Sequence, residues 1–267
     1  MADHLTYMSE TIASRNILMQ ILFEILYTIQ YFLLYIPGLF FRPSDVLDGD
    51  KRPVVLVSGF LGSPLAWYKV RKRLITEGHP VYCVRLGFQF GNIRRYSKML
   101  QKFLEKKTIT DCYLVCHSMG GLVATHMNYK GRDRTRKIFT LGTPYRGSLL
   151  TFIFPFTIAS LQMNPFSKFI RETKSKYRTL TSVQAVFAQV DQIVLFNYYN
   201  VPGRFDDVLL PQVGHINLIL GPMGVECISE LIHSEESKDP RSKNSSKVKV
   251  ESKKKLPSKT PVAKRRR

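Results

Sequence analysis

Between residues 54 and 142, short β-branched runs alternate with stretches of helical apolar period. VVLVS at 54–58 is followed by LAWYKVRKRLITEG, in which Leu65, Val70, Leu74 and Ile75 recur at helical spacing before Gly78 and Pro80 end the pattern. VYCVRL at 81–86 leads into IRRYSKMLQKFLEKK, with Ile93, Tyr96, Leu100, Phe103 and Leu104 on one face. CYLVC at 112–116 precedes a helix predicted from Met119 to Tyr129, and KIFTLG at 137–142 follows. Later, AVFAQV (185–190) and VLLPQV (208–213) have strand character, and ILGPMGVECISELI predicts one closing helix. Strands alternating with helices build β-α-β units, so the expected class is α/β, a mainly parallel sheet of about six strands with helices on both faces. In such sheets ligands bind beyond the carboxyl ends of the strands, and the chemistry is sought there.

Two terminal segments break this pattern. From Ile17 to Phe41 the chain is almost uninterruptedly apolar, and its 25 residues exceed the roughly 20 that a spanning helix needs. Gln20, Glu24, Thr28 and Tyr31 recur within it at helical spacing and mark one polar stripe, which suits a helix lying in a membrane interface or docked along a folded domain. The expectation is a membrane anchor, spanning or interfacial, over residues 1–42, ahead of a helix packed wholly within the protein. Arg42, Lys51 and Arg52 follow the segment and Arg15 alone precedes it, which puts the folded domain on the cytoplasmic side. At the other end, residues 238–267 hold 13 Lys+Arg against two acids, more than half of the net charge of +20. This tail has no aromatic residue and no apolar period, so a disordered basic tail is expected. The folded domain then occupies 43–237, and its 44% hydrophobic and 22% charged residues (whole-chain values) exclude a wholly disordered, collagenous or multi-span chain.

The cysteines carry little information. Cys112 and Cys116 on one strand stand about 13 Å apart, too far to bridge. No Cys/His spacing suggests zinc, and no metal or cofactor is expected.

After the third strand the chain reads VCHSMGG, with Ser118 between a β-run and a helix. This nearly matches G-x-S-x-G, a tight strand-to-helix turn that lifts a serine hydroxyl clear of the backbone, with Cys116 at the first glycine. The alternative is a serine that only caps the helix. A serine nucleophile needs a base. Of six histidines, His215 alone follows a strand and has a permissive Gly214 before it; His117 adjoins the serine but alternates away from it, and His126 fits packing or surface. An acid between serine and histidine is supplied by Asp191 at the end of AVFAQV, with Asp206 and Asp207, which precede a strand, as runners-up. The oxyanion donors are expected to be the backbone N–H groups of Met119 and of Phe60 in SGFLGSP (58–64); alone, that loop also fits an ordinary glycine turn.

Together these pieces resemble the α/β-hydrolase superfamily, in particular its compact triacylglycerol lipases and esterases. The matching segments are VVLVSGFLGS, VCHSMGG, FTLGTPYRGS (139–148), QVDQIV (189–194) and VGHINLI (213–219), in the family's order across about 165 residues. The resemblance implies hydrolysis of acyl esters, with Ser118 as nucleophile, Asp191 as acid, His215 as base, and Phe60 and Met119 as oxyanion donors. Two positions depart from the family: Ser58–Gly59 stands where a His-Gly pair is usual, and Cys116 where Gly or Ala is usual.

The apolar, aromatic stretch 151–170, within a cap-like segment 148–180, fits a lid or acyl-chain wall, or equally a helix pair packed on the sheet. The overall expectation is a membrane-associated serine hydrolase of lipid carboxylic esters. The membrane is met through the N-terminal segment and the basic tail; nucleic acid is not an expected partner, and the oligomeric state is left open. The rivals are an acyltransferase or thioesterase with the same triad, and a non-catalytic binding module.

Overall fold

Parallel strands must return by crossovers, and the crossovers linking the first five strands each carry at least one helix that covers the sheet. The computed structural model describes residues 17–195 and 206–238; the basic tail expected from 238 lies, apart from Lys238, outside them. Six strands, β1 Val54–Val57, β2 Val81–Val84, β3 Cys112–His117, β4 Thr135–Leu141, β5 Val183–Val190 and β6 Val208–Val213, form one sheet in the order β2-β1-β3-β4-β5-β6. Every pairing is parallel, with registers such as Val57↔Val84, Val57↔Cys116 and Cys116↔Thr140. Pro211 lies in β6, a strand at the edge of this order, where a missing N–H costs least.

The strands are apolar on both faces for a reason the helices explain. Val55, Val57, Leu114 and Cys116 join one core cluster with Ile93, Leu100 and Leu104 of α4 (Ile93–Lys106) and Leu122 of α5 (Met119–Thr125). Val54, Leu56, Tyr113 and Val115 point the other way, since strand side chains alternate, and are equally inaccessible. α3 (Tyr68–Thr76), entered through a 3₁₀ turn at Pro64–Trp67, buries Val70 and Leu74.

Several helices are shorter than the periodicity predicts, each for a local reason. The helix expected from Met119 to Tyr129 stops at Thr125, and Asn128 caps a separate turn, α6 (Tyr129–Arg132), by accepting the N–H of Gly131. The closing helix is two pieces, α10 (Asn217–Leu220) and α11 (Pro222–Ser237), because Pro222 has no N–H to continue a helix but is well placed to begin one. The chain divides after Ile228 into two units; the described part of the second holds only the end of α11. Residues 150–179 hold three helices, α7 (Leu150–Ile153), α8 (Ile158–Met163) and α9 (Lys168–Thr179).

The N-terminal apolar segment corrects one expectation. It is not a single long helix but α1 (Ile17–Leu33) and α2 (Tyr35–Phe40), and no helix among the described residues is long and apolar enough to cross a membrane. Pro37 cannot donate to the Leu33 carbonyl four residues earlier, which ends α1 there. The polar stripe turns inward: Glu24 and Tyr31 are buried, whereas Leu18, Leu22, Ile25, Ile29 and Phe32 lie about half exposed or more.

Candidate active site

Ser118 sits between β3 and α5 at φ 53°, ψ −126°, a left-handed conformation that a serine adopts only where its surroundings impose it. Its side chain makes no capping hydrogen bond, so the capping alternative is set aside. The paired glycines are required by contact. A Cβ on Gly120 would stand 2.5 Å from the Val57 carbonyl, and one on Gly121 would stand 2.0 Å from Thr143 Oγ1, which donates to the Ser118 carbonyl at 2.9 Å. Cys116, in the position usually held by a small residue, is fully buried in the core cluster and its Cβ is accommodated there. All four cysteines are free and buried.

Asp191 follows β5 and His215 follows β6. Gly214, at φ 116°, lets the chain turn between β6 and the histidine. Asp191 Oδ1 accepts the N–H groups of Ile193 (2.9 Å) and Val194 (2.7 Å), which leaves Oδ2 for His215 Nδ1 at 2.7 Å. Both side chains are almost wholly buried. Burial alone would raise the Asp191 carboxyl, but the facing His215 charge, its hydrogen bond and the two peptide N–H bonds outweigh it and hold the group below the ordinary carboxylate range. The runners-up serve elsewhere: Asp207 accepts the Ala185 N–H at the start of β5 and the Tyr177 hydroxyl, and Asp206 faces Lys137.

The loop after β1 lies against the serine turn. A Cβ on Gly59 would come 2.6 Å from Ser118 Cβ and 3.1 Å from the Met119 nitrogen, so only glycine lets the Gly59–Phe60 peptide pass this close. The brace for this loop replaces the usual histidine with other residues. Ser58 Oγ donates to the Ser63 carbonyl (3.1 Å) and accepts from Trp67 Nε1 (2.9 Å), while the buried Gln89 amide spans Gly62, accepting its N–H at 3.0 Å and donating to its carbonyl at 3.2 Å. Neither Trp67 nor Gln89 carried a signal in the sequence.

Ser118, His215 and Phe60 line one cavity of about 250 Å³, shared with Thr28, Tyr31 and Phe32 of α1 and with Leu150, Phe154 and Met163 of the segment after β4. His117 lines it too. Its ring lies 4.6 Å from that of His215, and its Nε2–H donates to the His215 carbonyl at 3.2 Å. Alternation does turn His117 away from Ser118, but at the strand end that direction leads to the His215 loop. Burial and the neighbouring His215 push its pKa down to about 3, so it is neutral. His126 packs instead, stacked on Phe169 and bonded to Thr173. Among the described residues there is no cluster of side chains able to hold a metal.

The family model described as "Alpha/beta hydrolase family" matches residues 54–246. The chain belongs to the alpha/beta hydrolase family. Two curated relatives, a triacylglycerol lipase of Pseudarthrobacter phenanthrenivorans and one of Burkholderia plantarii, are each 28% identical over 117 residues. These matches cover 39% of this chain and 37% and 33% of the relatives, so this alpha/beta hydrolase is matched to only about a third of their length. Among solved structures, a mature lipase of Bacillus licheniformis has a TM-score of 0.55 at 16% identity, over 72% of this chain and 96% of its own. A carboxylesterase of Nitrososphaera gargenis has a TM-score of 0.53 at 17% identity, over 73% and 94%. At such identities the likeness is one of fold.

Proposed function

We propose that this protein is a serine hydrolase that cleaves carboxylic esters of lipids. The observation that carries the reading is the Asp191–His215 pair, buried and joined at 2.7 Å, opening on the same cavity as a serine held at positive φ. In this mechanism His215 Nε2 takes the Ser118 proton as Oγ attacks the acyl carbon. Asp191 keeps Nδ1 protonated and stabilises the imidazolium that forms. The N–H groups of Phe60 and Met119 receive the oxyanion, and His215 then returns the proton to the departing alcohol. Water repeats the sequence on the acyl-enzyme.

The lipid class of substrate is supported by the cavity and its rim. The cavity is lined mostly by apolar side chains, and Phe152, Ile153, Phe154 and Phe156 beside it are exposed, as are Leu22, Ile25, Ile29 and Phe32 on α1. Apolar side chains massed this way on a soluble surface mark contact with lipid or a partner, and a net charge of +20 favours an anionic bilayer surface. The related triacylglycerol lipases point to the same chemistry.

The test is hydrolysis of p-nitrophenyl esters from acetate to palmitate by the full chain in detergent, beside Ser118→Ala. Turnover that rises with chain length and is lost in the variant is expected. Two folded proteins with the same residual rate would remove the enzymatic reading and favour a binding module.

A further inference from the structure

α1 is tied by its polar residues to the loop that carries the histidine. Glu24, buried in a helix of otherwise apolar character, accepts three hydrogen bonds: from the N–H of Ile216 (2.9 Å), from the N–H of Asn217 (2.8 Å) and from Gln192 Nε2 (2.5 Å). Gln192, next to Asp191, in turn accepts the N–H of His215 itself at 3.2 Å. One turn earlier, Gln20 accepts the N–H of Val213, the last residue of β6. Gly214 makes the approach possible, for a Cβ there would stand 2.1 Å from a Glu24 carboxylate oxygen. The same helix reaches the other half of the site. A Cβ on Gly62 of the loop after β1 would meet the Tyr31 hydroxyl at 2.5 Å, and the Tyr31 ring packs edge-on against His117.

A buried carboxylate is costly unless its lone pairs are filled, and here three N–H donors fill them. One donor directly follows Asp191 and two directly follow His215 in the chain, so the carboxylate joins the acid's loop to the base's loop. We infer that Glu24 is a positioning residue for His215, and that the N-terminal helix is a working wall of the active site rather than an appended anchor. The inference rests on the ester-hydrolase reading and extends it: the helix whose outer face is apolar holds the catalytic base from its inner face. Loss of the carboxylate frees the 214–217 loop, and small misplacement of a catalytic group costs up to about 100-fold in rate.

The test uses the full chain and a short, water-soluble ester, so that lipid docking does not enter. Glu24→Gln keeps the volume but opposes an amide N–H₂ to peptide N–H donors. We expect kcat to fall about tenfold or more, with KM within about twofold of wild type. The rate of Ser118 labelling by a fluorophosphonate should fall in parallel, and Glu24→Asp should recover part of the loss. Leu26→Ser, at a half-exposed position of α1 that meets none of these groups, should leave kcat on this ester unchanged. Gln192→Ala, which removes the link from Glu24 through Gln192 to the His215 N–H while leaving the residues of the helix unchanged, is the second variant should Glu24→Gln not fold, and a drop in kcat in the same direction is expected. Wild-type kcat in a folded Glu24→Gln or Gln192→Ala protein, or a loss carried by KM alone, overturns the inference and leaves the hydrolase standing. A wild-type chain that neither turns over ester nor labels at Ser118 overturns both.

Discussion

Gly59 does its work through the atom it lacks. An alanine there would put a Cβ 2.6 Å from Ser118 Cβ and 2.8 Å from the His117 carbonyl, and backbone rather than a flexible side chain would have to give. The loop after β1 moves away from the serine, while its brace through Trp67 and Gln89 holds the rest of the fold in place. Gly59→Ala is therefore expected to lose about 10- to 100-fold in kcat on a short ester with its melting temperature little changed, as measured by ester hydrolysis beside a thermal melt. Equal kcat would mean that this loop does not serve the reaction. Residues whose placement follows from local pattern were legible at this scale: Ser118 in its strand-to-helix turn, Asp191 and His215 after the strands they follow. His117, Gln89 and Glu24 were not, because their partners lie 98, 27 and at least 168 residues away and nothing in their neighbourhoods marks the pairing.

Among the elements, the strands were the most legible and the helix ends the least. All six strands fall where β-branched runs lie, whereas the order β2-β1-β3-β4-β5-β6 depends on crossover packing that no single stretch encodes. The helices broke at Leu34, after Thr125 and at Gly221, where Pro37, Asn128 and Pro222 impose a local stop or start stronger than apolar period. The polar stripe on α1 was visible, but its inward orientation follows from the peptide groups it meets, not from the stripe itself. That orientation has a consequence for the proposed binding to a lipid surface. With Gln20, Glu24 and Tyr31 turned to the protein, Leu22 and Ile25 are free to enter a bilayer surface, at roughly 1.5–3 kcal/mol for each side chain fully buried. Replacing both by serine is expected to weaken sedimentation with vesicles of mixed neutral and anionic phospholipid by at least tenfold, with little effect on the melting temperature. Unchanged binding by this variant, lost instead on raising the salt, would assign attachment to basic residues alone.

For the molecule as a whole, acid is the condition that tests the burial described above. His117 ends β3 and His126 follows α5, and both have pKa values pushed down to about 3. For His117 the causes are burial and the adjacent His215, opposed by the bond to the His215 carbonyl and by Asp191; for His126 they are burial and the Lys176 and Arg94 charges. Between that value and the ordinary 6.5, the unfolded chain takes up a proton at each of these histidines and the folded chain does not. Stability therefore falls as pH is lowered through this window. Asp191 adds to the loss at its lower end, since a carboxyl held down in the fold contributes stability only above its unfolded value and surrenders it as pH falls through the folded one. Each histidine is worth at most about 1.4 kcal/mol per pH unit, and each kcal/mol about 2–4 °C in a chain of this size. The melting temperature is thus expected to drop by roughly 5–10 °C between pH 6.5 and 5.5, before the growing positive charge of the whole chain adds its own repulsion. His126→Gln, which keeps a polar partner for Thr173 and carries no proton, should cut that slope by about half while leaving ester turnover intact. A variant whose melting temperature follows the wild-type pH dependence would show that His126 is already charged in the folded protein, and the acid sensitivity would then have to come from His117 and Asp191.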